Sequence, residues 1–272
     1  VDVVDLPEIF NKRTPETTKH NYGHSLLIAG SLGKLGAAVL AAKACLRSGV
    51  GLLTVHVPAC GMEVVQATVP EAMVSIDSDD YLPTSLPENL ERFTSIAIGP
   101  GIGTDSKTAR LVGRLLRELN SIKKRANKAP MLVMDADALN ILAANSKKLL
   151  PLLPKHTILT PHEGEYQRLF GGEDPVAVAR RLGITIVKKE HNTRTISADG
   201  QVFINQTGNA GMATAGSGDA LTGIVLALTA QNLPSHIAAM LAVYIPVLGP
   251  YILVGAFHLH SGRSAVLAGH TL

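Results

Sequence analysis

Charge is scarce in this chain. Asp, Glu, Lys and Arg make up 17% of its 272 residues, against 46% hydrophobic residues. That balance excludes an extended disordered protein. The length suffices for one large α/β domain with its own core, or two small ones. The formal net charge is only +3 and the basic residues are scattered, so no nucleic-acid partner is expected. There are two cysteines, Cys45 and Cys60, too few for a disulfide framework and not in a metal-ligand spacing. Reduced thiols in a cytoplasmic protein are expected, with no metal held by side chains. The opening segment VDVVDLPEIFNKRTPE lacks an apolar signal core, which argues against export. The chain starts at Val1 without a methionine, compatible with a piece of something longer. No internal repeat, low-complexity tract or linker-like run is present. The dinucleotide fingerprint Gly-x-Gly-x-x-Gly is also missing, because Gly30, Gly33 and Gly36 are spaced differently. A dinucleotide-dependent oxidoreductase is therefore disfavoured.

One long apolar run is present. Residues 237–259 carry no Asp, Glu, Lys or Arg and are long enough to span a bilayer. Pro246, Gly249, Pro250 and Gly255 interrupt any single helix there. A buried core helix followed by an irregular apolar stretch is expected, and no membrane span.

Elsewhere short apolar runs alternate with helical patterns, the signature of βαβ units. Strands are expected over 25–29, 52–57, 95–98, 130–134, 156–159 and 184–187. Helices are expected over 36–47, 106–119, 175–182 and 218–228. Segments 195–198 and 202–205 flank Asp199-Gly200 as a hairpin. Most strands are apolar throughout, as required of strands covered on both faces. The expected fold is α/β: one three-layer α/β/α domain over 1–272 with a mostly parallel central sheet. Ligands in such sheets sit beyond the carboxyl ends of the strands.

Four strand ends carry unusual residues. The loop Gly30-Ser31-Leu32-Gly33-Lys34-Leu35-Gly36-Ala37 runs into a helix start whose amides can face an anion; a tight turn without ligand reads equally well. Gly99-Pro100-Gly101-Ile102-Gly103 permits close approach of backbone to a ligand, though a bare turn looks the same. Thr160-Pro161-His162-Glu163-Gly164-Glu165 places a histidine and two carboxylates at a strand end. His162 is the candidate for touching substrate, whereas Glu165 reads as a helix-start residue favoured by the dipole. The fourth is the most informative. Gly216-Ser217-Gly218-Asp219 opens the apolar helix ALTGIVLALTA. The amides of Gly216, Ser217 and Gly218 form a candidate anion hole. Asp219 is placed to take a proton from a substrate hydroxyl; the plainer alternative is an N-cap or first-turn aspartate that stabilises the helix. A fifth element, Lys189-Glu190-His191-Asn192-Thr193, reads either as a phosphate contact or as a solvated turn.

Taken together and in order, these motifs resemble the ADP-dependent NAD(P)H-hydrate dehydratases, a branch of the ribokinase-like superfamily. The resemblance is carried by Tyr22-Gly23-His24, the Gly30–Ala38 loop, Arg47-Ser48-Gly49-Val50-Gly51, Gly99-Pro100-Gly101, Asp135-Ala136-Asp137-Ala138-Leu139, Leu159 through Glu165, and residues 205–223. It implies substrate contacts at Ala37, Gly101, His162 and Asp219. It implies adenine-nucleotide contacts at Lys189, Glu190, His191, Asn192, Thr193 and Gly218, with Asp219 as the base. ADP or ATP as phosphoryl donor, Mg²⁺, a homo-oligomer and a functional or fused NAD(P)H-hydrate epimerase are implied as well. The chain departs from the family pattern at two places. Glu190 stands where the family carries a small residue, usually glycine, and an acidic side chain weakens phosphate binding unless it points away. After Ala242-Val243-Tyr244 the family's His-Gly and later Gly-Asp are replaced by Ile245-Pro246-Val247-Leu248-Gly249-Pro250. The rival readings are a kinase of the same superfamily acting on a hydroxymethyl or hydroxyethyl vitamin precursor, and a non-catalytic nucleotide-binding subunit.

Overall fold

Strand apolarity on both faces dictates the architecture. The computed structural model describes residues 14–205 and 215–244. Nine strands form one sheet in the order β3-β2-β1-β4-β5-β6-β7-β8-β9. They are β1 (His24–Ile28), β2 (Leu52–Val57), β3 (Met73–Ile76), β4 (Ser95–Ile98), β5 (Met131–Met134), β6 (Ile158–Leu159), β7 (Thr185–Lys188), β8 (Arg194–Ile196) and β9 (Val202–Ile204). From β3 to β7 every pairing is parallel; β8 and β9 add an antiparallel hairpin. Successive side chains of a strand face opposite ways. Leu26, Ile28, Ile96, Ile98, Leu132 and Met134 accordingly enter one core, and Leu27, Ala97 and Val133 the other.

The helices fill the two outer layers. The first core is closed by α1 (Leu35–Arg47) and α2 (Met62–Thr68), and by two later helices, α8 (Ser217–Ala230) and α9 (Ser235–Tyr244). The second is closed by α3 (Ser106–Ala126), α4 (Asp137–Ala144), the one-turn α5 (Ser146–Leu149), α6 (Glu163–Phe170) and α7 (Pro175–Leu182). The three-layer α/β/α expectation is met. Helix α3 runs past the expected end at 119, because its last turn presents Lys123, Lys124 and Arg125, cations suited to a helix C-terminus. Strand β6 starts later than expected since His156 has φ 65°, which a strand cannot accommodate. Strand β3 carries no continuous apolar run: it is an edge strand with Met73 and Ile76 exposed.

The 237–259 run enters the described residues only as far as Tyr244. There it is α9, with Ala238, Ala239, Leu241, Ala242 and Val243 buried; residues 245–259 lie outside them. Among the described residues no helix is long and apolar enough to cross a membrane.

Helices α1 and α8 touch through a glycine. A Cβ at Gly223 would lie 2.1 Å from the Ala41 carbonyl oxygen and 3.0 Å from the Ala44 Cβ. Gly223→Ala is expected to cost about 1–3 kcal/mol through overpacking. At roughly 2–4 °C per kcal/mol for a chain of this size, thermal unfolding should show a loss of several degrees.

Candidate active site

The carboxyl ends of β1, β4, β5, β6 and β7 converge with the start of α8. Two glycine loops meet first. The Gly30 amide donates to the Pro100 carbonyl at 2.8 Å and the Ser31 hydroxyl to the Gly101 carbonyl at 2.7 Å. Gly101 has φ 65°, and a Cβ there would lie 2.7 Å from the Lys34 carbonyl oxygen and 3.1 Å from the Ala37 Cβ. Ala37, in the first turn of α1, and Gly101 are thus neighbours.

The second grouping surrounds α8. Gly216, with φ 87°, precedes it, and among the described residues no side chain caps the helix; first-turn amides of a helix suit an anion. Lys189 Nζ and Asp135 Oδ2 lie 3.6 and 3.8 Å from where a Gly218 Cβ would sit. The absence of a side chain there keeps the gap open. Asp135, directly after β5 and buried, accepts from Lys189 Nζ at 2.9 Å through Oδ1 and from Thr222 Oγ1 at 2.7 Å through Oδ2. Burial raises the Asp219 carboxyl above its ordinary value, and the charges of Asp135 and Asp137 raise it further, with Lys189 opposing them. Asp137 is held in turn: its Oδ2 accepts from the Gly103 amide at 2.8 Å and from Lys34 Nζ at 3.3 Å. It ties the β4 loop and the residue that precedes α1 to the start of α4.

Asp135 is a site residue that residue-by-residue reading missed. It was legible only as part of the Asp135-Ala136-Asp137 motif, where it carried no role. Its position at the end of a buried parallel strand was the available signal.

His162 caps α6. Its Nδ1 accepts from the Gly164 and Glu165 amides at 3.0 and 3.3 Å, and Glu165 Oε2 accepts from the His162 amide at 2.9 Å. This is a capping box, so Glu165 has the helix-start role expected of it. Nδ1 accepts, which leaves the proton of the neutral ring on Nε2. The side chain is half exposed, and backbone pairing places His162 beside Lys189. Within residues 189–193, only Lys189 joins the α8 grouping. The side chain of Glu190 turns to Lys188 and Arg194, and His191 and Asn192 are exposed. Residues 206–214 of the glycine-rich stretch lie outside the described residues. The cysteines are free, and burial pushes the Cys45 thiol up to about 12, so it offers no nucleophile.

Comparison with known proteins finds relatives over most of the chain. A bifunctional NAD(P)H-hydrate repair enzyme of Moorella thermoacetica is 39% identical over 86% of this chain, which spans 46% of that relative's length. An ADP-dependent (S)-NAD(P)H-hydrate dehydratase of Listeria monocytogenes is 33% identical over 86% of this chain and 81% of its own. A solved ribokinase-like superfamily protein from Enterococcus faecalis superposes with TM-score 0.74 at 32% identity, covering 89% of this chain and 84% of that one. An ADP/ATP-dependent NAD(P)H-hydrate dehydratase from Bacillus subtilis, co-crystallised with ATP/Mg²⁺, gives TM-score 0.71 at 29% identity, covering 88% and 84%. Residues 25–247 match the family model described as NAD(P)H-hydrate dehydratase, and the chain belongs to that family.

Proposed function

We propose that the chain uses ADP or ATP to dehydrate (S)-NAD(P)H-hydrate to NAD(P)H, a lyase reaction that repairs the nicotinamide cofactor. One observation carries the residue assignment. Asp219, its carboxyl raised by burial and by Asp135, stands on the first turn of a glycine-opened helix beside Lys189. Hydroxide is a poor leaving group, so the ring hydroxyl must first be converted into a better one. Asp219 takes the hydroxyl proton as the oxygen bonds to the terminal phosphorus. The phosphorus–oxygen bond to the rest of the nucleotide breaks, releasing AMP from ADP or ADP from ATP. The α8 amides and Lys189 stabilise charge on the transferred group. The phosphate ester then departs with the electrons of its carbon–oxygen bond, driven by the ring nitrogen. Loss of a proton from the adjacent carbon restores the dihydronicotinamide.

Ala37, Gly101 and His162 are assigned to the hydrate, and residues 189–193 and Gly218 to the nucleotide. Among the described residues no group of three or more His, Cys, Asp or Glu side chains is placed to hold a metal, and both Asp135 oxygens are taken. Mg²⁺ fits as an ion carried by the nucleotide's own phosphate oxygens and water. It would neutralise charge on the transferring group. We further place the protein in the cytoplasm as a homo-oligomer, served by an epimerase that interconverts the hydrate epimers.

The test is incubation with hydrated NADH, Mg²⁺ and ADP or ATP, following the near-ultraviolet absorbance of the reduced ring. Nucleotide-dependent recovery is expected. A stable phosphorylated product from a vitamin precursor, without recovery of NADH, would instead establish the kinase.

A further inference from the structure

The acidic side chain at 190 departs from the family's usual small residue, and its surroundings show where it goes. Lys188, Lys189 and Glu190 leave β7 on alternating sides. Lys189 reaches Asp135, while Lys188 and Glu190 meet each other. Glu190 Oε1 lies 2.8 Å from Lys188 Nζ and accepts from Arg194 Nη2 at 2.9 Å. Lys188 Nζ also pairs with Glu163 Oε2 at 2.6 Å and sits 5.1 Å from the centre of the Tyr166 ring. Burial alone would raise the Glu190 carboxyl; Arg194 and Lys188 outweigh it and hold the group below its ordinary value. The Thr193 hydroxyl donates to the Glu190 carbonyl at 3.3 Å, and the Asn205 amide to the Thr193 carbonyl at 3.0 Å. One network therefore joins Glu163, next to His162, to Glu190 and Thr193 at the two ends of the 190–193 turn.

We propose that Glu190 is a positioning residue: clamped by Lys188 and Arg194, it fixes the 190–193 turn for the nucleotide and turns its own charge away from the phosphates. The inference rests on the reading of residues 189–193 as the nucleotide turn. A glycine at 190 has no side chain to anchor and leaves a turn more conformations to lose on binding. The carboxylate removes that freedom, and its negative charge is neutralised by two cations before a phosphate arrives.

Calorimetric titration of ADP and initial rates on wild type, Glu190→Ala, Glu190→Gln and Lys189→Ala decide it. For Glu190→Ala, nucleotide Kd and KM are expected to rise about tenfold, the size of one lost charge-assisted hydrogen bond. The change should fall more heavily on the nucleotide Kd and KM than on kcat or on the KM for the hydrate. Glu190→Gln keeps an acceptor for Arg194 and should recover part of the loss, which a general packing defect would not allow. Unchanged or tighter ADP binding by Glu190→Ala, with Lys189→Ala weakened, overturns the inference alone. Unchanged binding by Lys189→Ala overturns the nucleotide reading of the turn beneath it.

Discussion

Asp219→Asn is expected to lower kcat by about 10²–10⁴-fold, the range attributed to a general base, while leaving the fold intact or firmer. The asparagine keeps the shape of the side chain but cannot accept the hydroxyl proton. Stability runs the other way for a stated reason. Burial and the Asp135 charge raise the folded-state carboxyl above its unfolded value. The ionised group therefore costs stability at neutral pH, and that cost shrinks as pH falls below the raised value and is gone below the unfolded one. A variant that never ionises lacks the cost, so its Tm at neutral pH should match or exceed that of wild type. ADP affinity should persist, because one negative charge beside the phosphates is gone. Rates, Tm and ADP titration on the same preparation check all three. An inactive variant with a markedly lowered Tm would mean that Asp219 matters to folding, not to chemistry.

What the sequence revealed depended on where each residue sits. Buried parallel strand β4 was legible to the residue from its short apolar run; β2 was legible too, although the buried Thr54 and His56 interrupt its apolar residues. Edge strand β3 was not, because Met73 and Ile76 face solvent and break that pattern. The start of α8 was readable as a helix opening, because a glycine that takes φ 87° precedes it and Asp219 suits the first turn. Asp135 was not, since its importance lies in contacts 54 and 87 residues away, with Lys189 and Thr222. The orientation of Glu190 was also hidden: the residue type gives a charge, and only the strand alternation and Arg194 show where it points. His162 could be placed at the site from its strand end, but its capping geometry needed the backbone of α6.

Asp135→Asn should lower kcat/KM about 10–100-fold and move the acidic limb of the rate profile to lower pH. Asp135 neutralises Lys189 from a buried position, and the amide keeps only one acceptor oxygen for the two donors it now meets. Its NH₂ group will face either the Lys189 ammonium or the Thr222 hydroxyl. Misplacement of Lys189 relative to Gly218 loses part of the positioning on which phosphoryl transfer depends. The pH shift separates this role from mere damage. Asp135 is the leading charge that raises the Asp219 carboxyl, second only to burial, and Lys189 opposes it. Without that anion, Asp219 gives up its proton at lower pH, so the rate falls off at lower pH than in wild type. The same change makes Asp219 a weaker base, which lowers the plateau. A variant that loses activity uniformly, with its acidic limb unmoved, would confine Asp135 to holding Lys189. An acidic limb moved to higher pH would contradict the electrostatic account altogether.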